Sequence, residues 1–285
     1  MIADTELILN ADGSIYHLNL RPEDLADTII FVGDQERVPL VSKYFDTIEV
    51  KKGKREFITH TGMLRGKRIS VISTGIGTDN IDIVLNEIDA LINVDFDTKT
   101  LKEEMRSVDI IRIGTSGSIQ GNLPVGTVLA SEFAIGFDTL MQFYVKSYAK
   151  EEMELAAAVT QHFSNLSFHP YIGTASPRLM AQFSGGLSKG ITMTAPGFYG
   201  PQGRSVRSHN MYPDLIQKAN SFRTKNEQCI TNLEMETAGI YALANMLGHH
   251  ALSINAILAS RLHEEFCPNP SEVIDAAIRH VLERI

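Results

Sequence analysis

The stretch DIIRIGTSG, residues 109–117, decides how the chain is to be read. It opens as a short β-branched run, the mark of a buried strand, and closes on glycines that permit a tight turn with open backbone N–H groups. In the middle of the run stands Arg112. A guanidinium in a buried strand is costly unless a carboxylate or an anion neutralises it. Two readings stay open on these residues: an internal ion pair with one of the chain's acids, or a bidentate fork matched to phosphate geometry.

The same kind of run recurs at TIIFVG (28–33), RISVIST (68–74), GTVLASE (126–132), YIGTAS (171–176), GITMTA (190–195) and ALSINAILAS (251–260). Longer helical patterns alternate with them at 36–44, 79–92, 150–164 and 236–247. That alternation predicts an α/β fold with a central buried sheet and helices on both faces. A last helix is expected from NPSEVIDAAIRHVLERI, with Asn269 as cap, Pro270 in the first turn and Glu272 completing a capping box. Its apolar positions from Val273 to Leu282 keep one face. No repeat, low-complexity tract or linker divides the sequence, so residues 1–285 are expected to form one domain. The polar stretch 93–105 reads as a surface excursion and RLHEEFCPNP (261–270) as a loop.

At 285 residues, 44% hydrophobic and 21% charged, the composition is that of a globular chain rather than a disordered one. The net charge of -8, with basic residues scattered, argues against a nucleic-acid footprint, so an anionic ligand must be small and locally held. No apolar run approaches the ~20 residues of a membrane span, and MIADTELILNADGS lacks a signal peptide's pattern. A cytoplasmic location is the default expectation. Cys229 and Cys267 lie outside any metal-ligand spacing and read as reduced thiols.

Three predicted strands run into glycine turns: FVGDQERV, ISTGIGTDN and IRIGTSGSIQ. None matches GxGxxG opening a βαβ unit, and none carries the lysine of a P-loop. What sets them apart is arginine: Arg37 follows Gly33 by four residues, Arg112 precedes Gly114 by two, and Arg55 stands in GKREF. Further along, NLEMET (232–237) sets Glu234 and Glu236 around Met235 at the mouth of an apolar helix. FYGPQGR (198–204) is, on its residues alone, a Gly/Pro turn with polar tips.

Taken together and in order, HLNLRPED (17–24), GDQERV, GKREF, STGIG, RIGTSG, FYGPQGR and NLEMET resemble the nucleoside phosphorylases of the hexameric type, the uridine phosphorylase branch most closely. The resemblance spans nearly the whole chain. It implies a single α/β fold whose twisted mixed sheet is partly closed into a barrel and flanked by helices. It also implies homodimers that share active sites, often assembled into hexamers. Carried over by position, Gly33, Arg37, Arg112 and Thr115 would hold phosphate, with Arg55 reaching in from a neighbouring subunit. Glu236 would accept hydrogen bonds from the ribose hydroxyls, Met235 would pack under the sugar and Glu234 would support it. His17 matches a histidine that approaches the 5'-hydroxyl from the partner; without the resemblance it reads as a surface histidine. Phe198 would stack on the base while Gln202 and Arg204 hold a uracil edge.

The implied reaction is phosphorolysis of uridine to uracil and ribose 1-phosphate, with Arg204, Gln202, Arg112 and Thr115 carrying the catalysis and no cofactor needed. A monovalent cation near Glu56, Ile76 and Asn80 is a family feature, although Asn80 stands where a serine is usual. Asp79 is a second departure, since an acid beside the cradle would repel an anion unless turned away. Purine phosphorylases carry an aspartate after the late strand; here Ser260 and Arg261 occupy that stretch, with Glu264 and Glu265 close by. There is no HExxH, adjacent His249 and His250 diverge, and Ser116 lacks an argued base, so neither a metal site nor a serine hydrolase is expected. The competing readings are a purine phosphorylase, a nucleosidase using water, and a non-catalytic nucleoside-binding protein.

Overall fold

The computed structural model describes residues Met1 to Ile285. TIIFV forms β1 (Thr28–Val32), buried along nearly its whole length, as a strand covered on both faces must be. There follow α1 (Arg37–Ser42), β2 (Thr47–Lys54), β3 (Phe57–Leu64), β4 (Lys67–Ser73), α2 (Thr78–Asn93), β5 (Val94–Asp95), β6 (Thr100–Leu101), β7 (Asp109–Ser118) and β8 (Val128–Gly136). The second half contributes α3 (Lys150–His162), β9 (Tyr171–Thr174), α4 (Pro177–Phe183), β10 (Ser188–Thr194), α5 (Leu215–Ser221) and β11 (Ile230–Glu234). It ends with α6 (Thr237–Leu247), β12 (His250–Ser260), β13 (Glu265–Phe266) and α7 (Pro270–Leu282).

Eleven strands join one mixed sheet in the order β13-β12-β8-β10-β11-β7-β1-β4-β3-β2, with β9 on β8. Because β12 also pairs with β7, strands β7, β12, β8, β10 and β11 close into a ring, and β1 to β4 extend from it as an open wing. The expected α/β class, with a mixed sheet partly closed into a barrel, is therefore what the chain forms.

The ring and the wing meet on β7, and that junction positions everything else. One edge of β7 is paired in parallel with β12 from Asp109 to Ser118. Its other edge pairs with β1 only as far as Phe31↔Arg112, and with β11 only at Gly117 and Ser118. Between Arg112 and Gly117 that edge has no strand partner. A sheet that changes neighbours in this way opens a crevice where ligands gather.

Helix α6 is buried from Thr237 to Ala244, and so apolar all round, as befits a helix in the core. It lies so close on β9 that a Cβ at Gly173 would meet Tyr241 Cβ at 2.7 Å and Ala238 O at 3.1 Å. Gly248, at φ 80°, ends the helix in the left-handed conformation.

Some local expectations change. Asn269 makes no side-chain capping bond to α7, so only Pro270 in the first turn marks that start. Residues 93–105 form a minimal β5–β6 hairpin, anchored by buried Asn93 and Val94 and mostly exposed beyond them. The 261–270 stretch is more than a loop: β13 folds back on β12 with Ala259↔Phe266 and Ser260↔Glu265 in register.

Candidate active site

Over the unpaired edge of β7 lies a cavity of about 410 Å³, walled by ten of the residues singled out above: Gly33, Arg37, Arg112, Thr115, Phe198, Gln202, Arg204, Glu234, Met235 and Glu236. At one end, Arg112 is buried. Its Nη2 donates to Glu236 Oε2 at 2.5 Å and lies 3.1 Å from Glu234 Oε2. Its Nη1 donates to Asn255 Oδ1 at 2.8 Å. Burial works against the Arg112 charge, yet the two carboxylates outweigh it and hold the pKa above its ordinary value. The ion-pair reading of this arginine is thus realised inside the cavity wall itself.

Gly114 explains how the side chain fits. A Cβ there would come within 1.7 Å of Arg112 Nη1, so the guanidinium lies directly over the glycine backbone. Arg37 stands differently. Its Nη1 reaches only the Ile113 carbonyl, at 3.5 Å, on the unpaired edge of β7. No carboxylate lies within salt-bridge distance of it. Burial lowers its pKa and Arg112 lowers it further, with Asp34 and Glu236 pulling the other way. Two neighbouring guanidiniums, one of them lacking an ion pair, make a place for an oxyanion.

Glu234 lines the cavity, but its carboxylate is engaged by the protein. It accepts from the N–H groups of Glu236 and Thr237 at 3.0 Å each and from Thr194 Oγ1 at 2.6 Å. Its carboxylate therefore caps the start of α6, where orphan N–H groups and the helix dipole favour negative charge. Glu236 accepts from the Gly77 N–H at 2.8 Å as well as from Arg112. Burial raises its pKa in spite of Arg112. An ionised carboxylate has about four acceptor sites, so Glu236 keeps capacity for a vicinal diol after both contacts. Asp79, at the first turn of α2, is exposed and does not line the cavity.

At the other end, Arg204 Nη1 donates to Gln202 Oε1 at 2.6 Å and to the Phe198 carbonyl at 2.7 Å. Its guanidinium carbon sits 3.9 Å from the centre of the Phe198 ring, so one face of that ring carries a cation. Burial, with Arg261 adding repulsion, pushes Arg204 down to about 10, still charged at neutral pH. Arg261 Nη1 donates to the Gln202 carbonyl at 2.7 Å and holds the turn in place.

Sequence reasoning missed Arg261 in this role, along with Asp34, Leu258, Ala259 and Phe266 on the cavity wall. Leu258 and Ala259 end a strand that was recognised, so the rule that strand ends line ligand sites would have found them. Phe266 gives no such signal, because β13 depends on a long-range pairing.

Two expected residues lie outside this cavity. Arg55 is exposed at the tip of the β2–β3 hairpin, at φ 56°. His17 is partly buried, its Nδ1 2.6 Å from Glu87 Oε1. Glu56 and Asn80 both crowd Gly75, where an added Cβ would meet Asn80 Nδ2 at 2.2 Å and Glu56 Cγ at 3.0 Å. Asn80 Nδ2 donates to the Ile76 carbonyl at 3.4 Å, so that oxygen is engaged by an amide rather than presented bare.

Comparison with known proteins adds an independent line. Residues 27–283 match the family described as the phosphorylase superfamily. A uridine phosphorylase of Thermococcus kodakarensis is 30% identical over 257 residues, covering 90% of this chain and 80% of the relative. A DeoD-type purine nucleoside phosphorylase of Listeria monocytogenes is 24% identical, covering 84% of each chain. Among solved structures, a Trypanosoma brucei nucleoside phosphorylase described as showing uridine phosphorylase activity superposes with a TM-score of 0.88 at 30% identity, covering 98% of both chains.

Proposed function

We infer, from the premise that this chain belongs to the phosphorylase superfamily and is a pentosyltransferase of the nucleoside phosphorylase kind, that its substrate is uridine, cleaved reversibly to uracil and ribose 1-phosphate. The observation that carries this reading is the make-up of one cavity: Arg37 and Arg112 at one end, Glu236 and Met235 between, and Gln202 and Arg204 at the other.

In the reaction, phosphate held by Arg37, Arg112 and Thr115 attacks C1' as the glycosidic bond lengthens. Positive charge grows on the sugar and negative charge on the departing base. The phosphate oxygens face the first, while Arg204 and Gln202 donate to the second, and such donors are fixed before the reaction begins. Glu236 binds the ribose hydroxyls. Uracil suits the base end because an amide meets an N–H and a carbonyl together, and a guanidinium meets the other oxygen. A purine would call for an acid there, yet Glu264 and Glu265 are exposed and off the cavity wall.

The cavity wall carries Asp34, Glu234 and Glu236 against Arg37, Arg112 and Arg204, so within one chain the charges balance. A phosphate dianion needs further positive charge, which Arg55 of a second copy would bring, with His17 approaching the sugar from the same side. The active unit is therefore at least a homodimer. A panel of uridine, thymidine, deoxyuridine and inosine, followed by ultraviolet absorbance with and without phosphate, tests the reading. Uridine should be consumed only with phosphate present and far faster than inosine. Phosphate-independent cleavage, or inosine as the better substrate, would contradict it.

A further inference from the structure

The face of Arg112 turned away from the glutamates meets Asn255, and a guanidinium can only donate. The Asn255 amide must therefore turn its oxygen to Arg112 and its NH2 away, an assignment that the network imposes. In the β7–β12 register Asn255 stands opposite Gly114, and Ser253 opposite Arg112. Gly114 has no side chain to block the contact.

The choice made at Asn255 propagates. Its Nδ2 donates to Ser131 Oγ at 3.0 Å, and Ser131 Oγ lies 2.6 Å from Thr192 Oγ1. Thr192 Oγ1 donates to Asn232 Oδ1 at 2.9 Å, and Asn232 Nδ2 donates to Ser116 Oγ at 3.0 Å. Each ring strand supplies one member: Asn255 from β12, Ser131 from β8, Thr192 from β10, Asn232 from β11 and Ser116 from β7. All are buried.

The direction cannot be reversed without loss. Were Thr192 to donate to Ser131, that hydroxyl would accept from both neighbours and its own proton would have nowhere to go. Thr231 Oγ1 lies 2.8 Å from Asn232 Oδ1 and 3.1 Å from the Ile191 carbonyl; its single proton serves one of the two, so the sense of the second amide is set by Thr192. The belt thus begins at Arg112 and returns to the same cavity at Ser116. There Ser116 Oγ accepts from Asn232 and makes no other side-chain hydrogen bond within the protein, which leaves its proton free to donate.

We propose that Ser116 is a hydrogen-bond donor to a substrate oxygen, its proton aimed by the polar belt that starts at Arg112, with Asn255, Ser131, Thr192 and Asn232 as positioning residues. The inference rests on the phosphorolysis reading. A phosphate oxygen and a uracil carbonyl offer the same acceptor chemistry, and the kinetics separate them: loss of the contact raises the KM of phosphate in one case and of uridine in the other, or lowers kcat if the bond strengthens as charge develops.

The test compares Ser116→Ala, Ser116→Thr, Thr192→Val, Thr192→Ser and the double variant Ser116→Ala/Thr192→Val, with phosphate and uridine varied separately. Ser116→Ala should lose about 10²-fold in kcat/KM, and Ser116→Thr should recover most of it. Thr192→Val, of equal size but unable to pass the proton order on, should fall in the same direction, and Thr192→Ser should not. The double variant should be no worse than Ser116→Ala alone, because the two act as one unit. A belt that merely holds the barrel together would give independent, multiplicative losses that track thermal stability, and that result overturns the proposal. So does a Ser116→Ala variant within about two-fold of the native enzyme while native cleavage of uridine requires phosphate. Absence of phosphate-dependent cleavage in the native protein overturns the underlying reading, and this inference with it.

Discussion

Arg37 and Arg112 carry the same charge into the same cavity but in opposite circumstances, and the difference sorts their expected behaviour. Arg112 is neutralised by Glu234 and Glu236, whereas Arg37 has only a 3.5 Å contact with a carbonyl. Arg37→Ala should therefore cost about 10²-fold in kcat/KM for phosphate with little change in melting temperature, as steady-state kinetics and a thermal melt would show. Glu234→Ala is the reverse case. It strips α6 of its cap and leaves Arg112 with one carboxylate, so about 3–5 kcal/mol of stability should be lost in denaturant titration. Glu236 sets a pH dependence. Burial raises its pKa above the ordinary glutamate value, so on acidification it takes up a proton earlier than an exposed glutamate does. The acid limb of kcat/KM for uridine should accordingly lie above the usual carboxylate range, and Glu236→Gln should lose that limb. In stability the sign is the opposite of a salt-bridged acid: the contribution is full below the unfolded value and is lost as pH rises through the folded one.

At the level of elements, the site exists because β7 changes partners. Ile113 to Ser116 lack a strand neighbour on one edge, and the chain places Thr115 and the Arg37 guanidinium there. Gly114→Ala tests how finely that edge is tuned. The added Cβ would displace the guanidinium from its position over the backbone, so activity should fall by about 10²-fold with a smaller effect on unfolding, since β7 keeps its pairing with β12. Much of this was legible in the sequence. Seven strands, the four longest helices and α1 show themselves through β-branched runs and helical periodicity, and the strand-end glycines with their arginines point to the cavity. Other parts were not legible, for identifiable reasons. The edge strand β2 reads TIEVKKGK, an exposed and lysine-rich pattern without a buried run. β13 depends on a register with β12 that no local signal encodes. Glu234 reads as a ligand because two acids flank Met235, and only the turn into α6 directs its carboxylate to the helix N-terminus.

Across the whole molecule, the wing of β1 to β4 carries Arg55 and the N-terminal segment carries His17, both outside the cavity of their own chain. If a second copy supplies them, activity must complement between defective subunits. Arg55→Ala and Arg204→Ala proteins, each inactive alone, should regain about a quarter of native sites when their subunits are mixed and allowed to exchange. In a two-fold symmetric dimer a mixed pair holds one intact and one doubly defective site. No recovery by coupled assay would mean that Arg55 acts within its own chain or not at all. The central claim, that the guanidinium cradle holds the attacking nucleophile, is tested most directly by cleaving uridine in 18O-labelled inorganic phosphate and analysing the sugar product by mass spectrometry. The structure predicts ribose 1-phosphate with the labelled oxygen bridging phosphorus and C1. Free ribose carrying oxygen from water would contradict it.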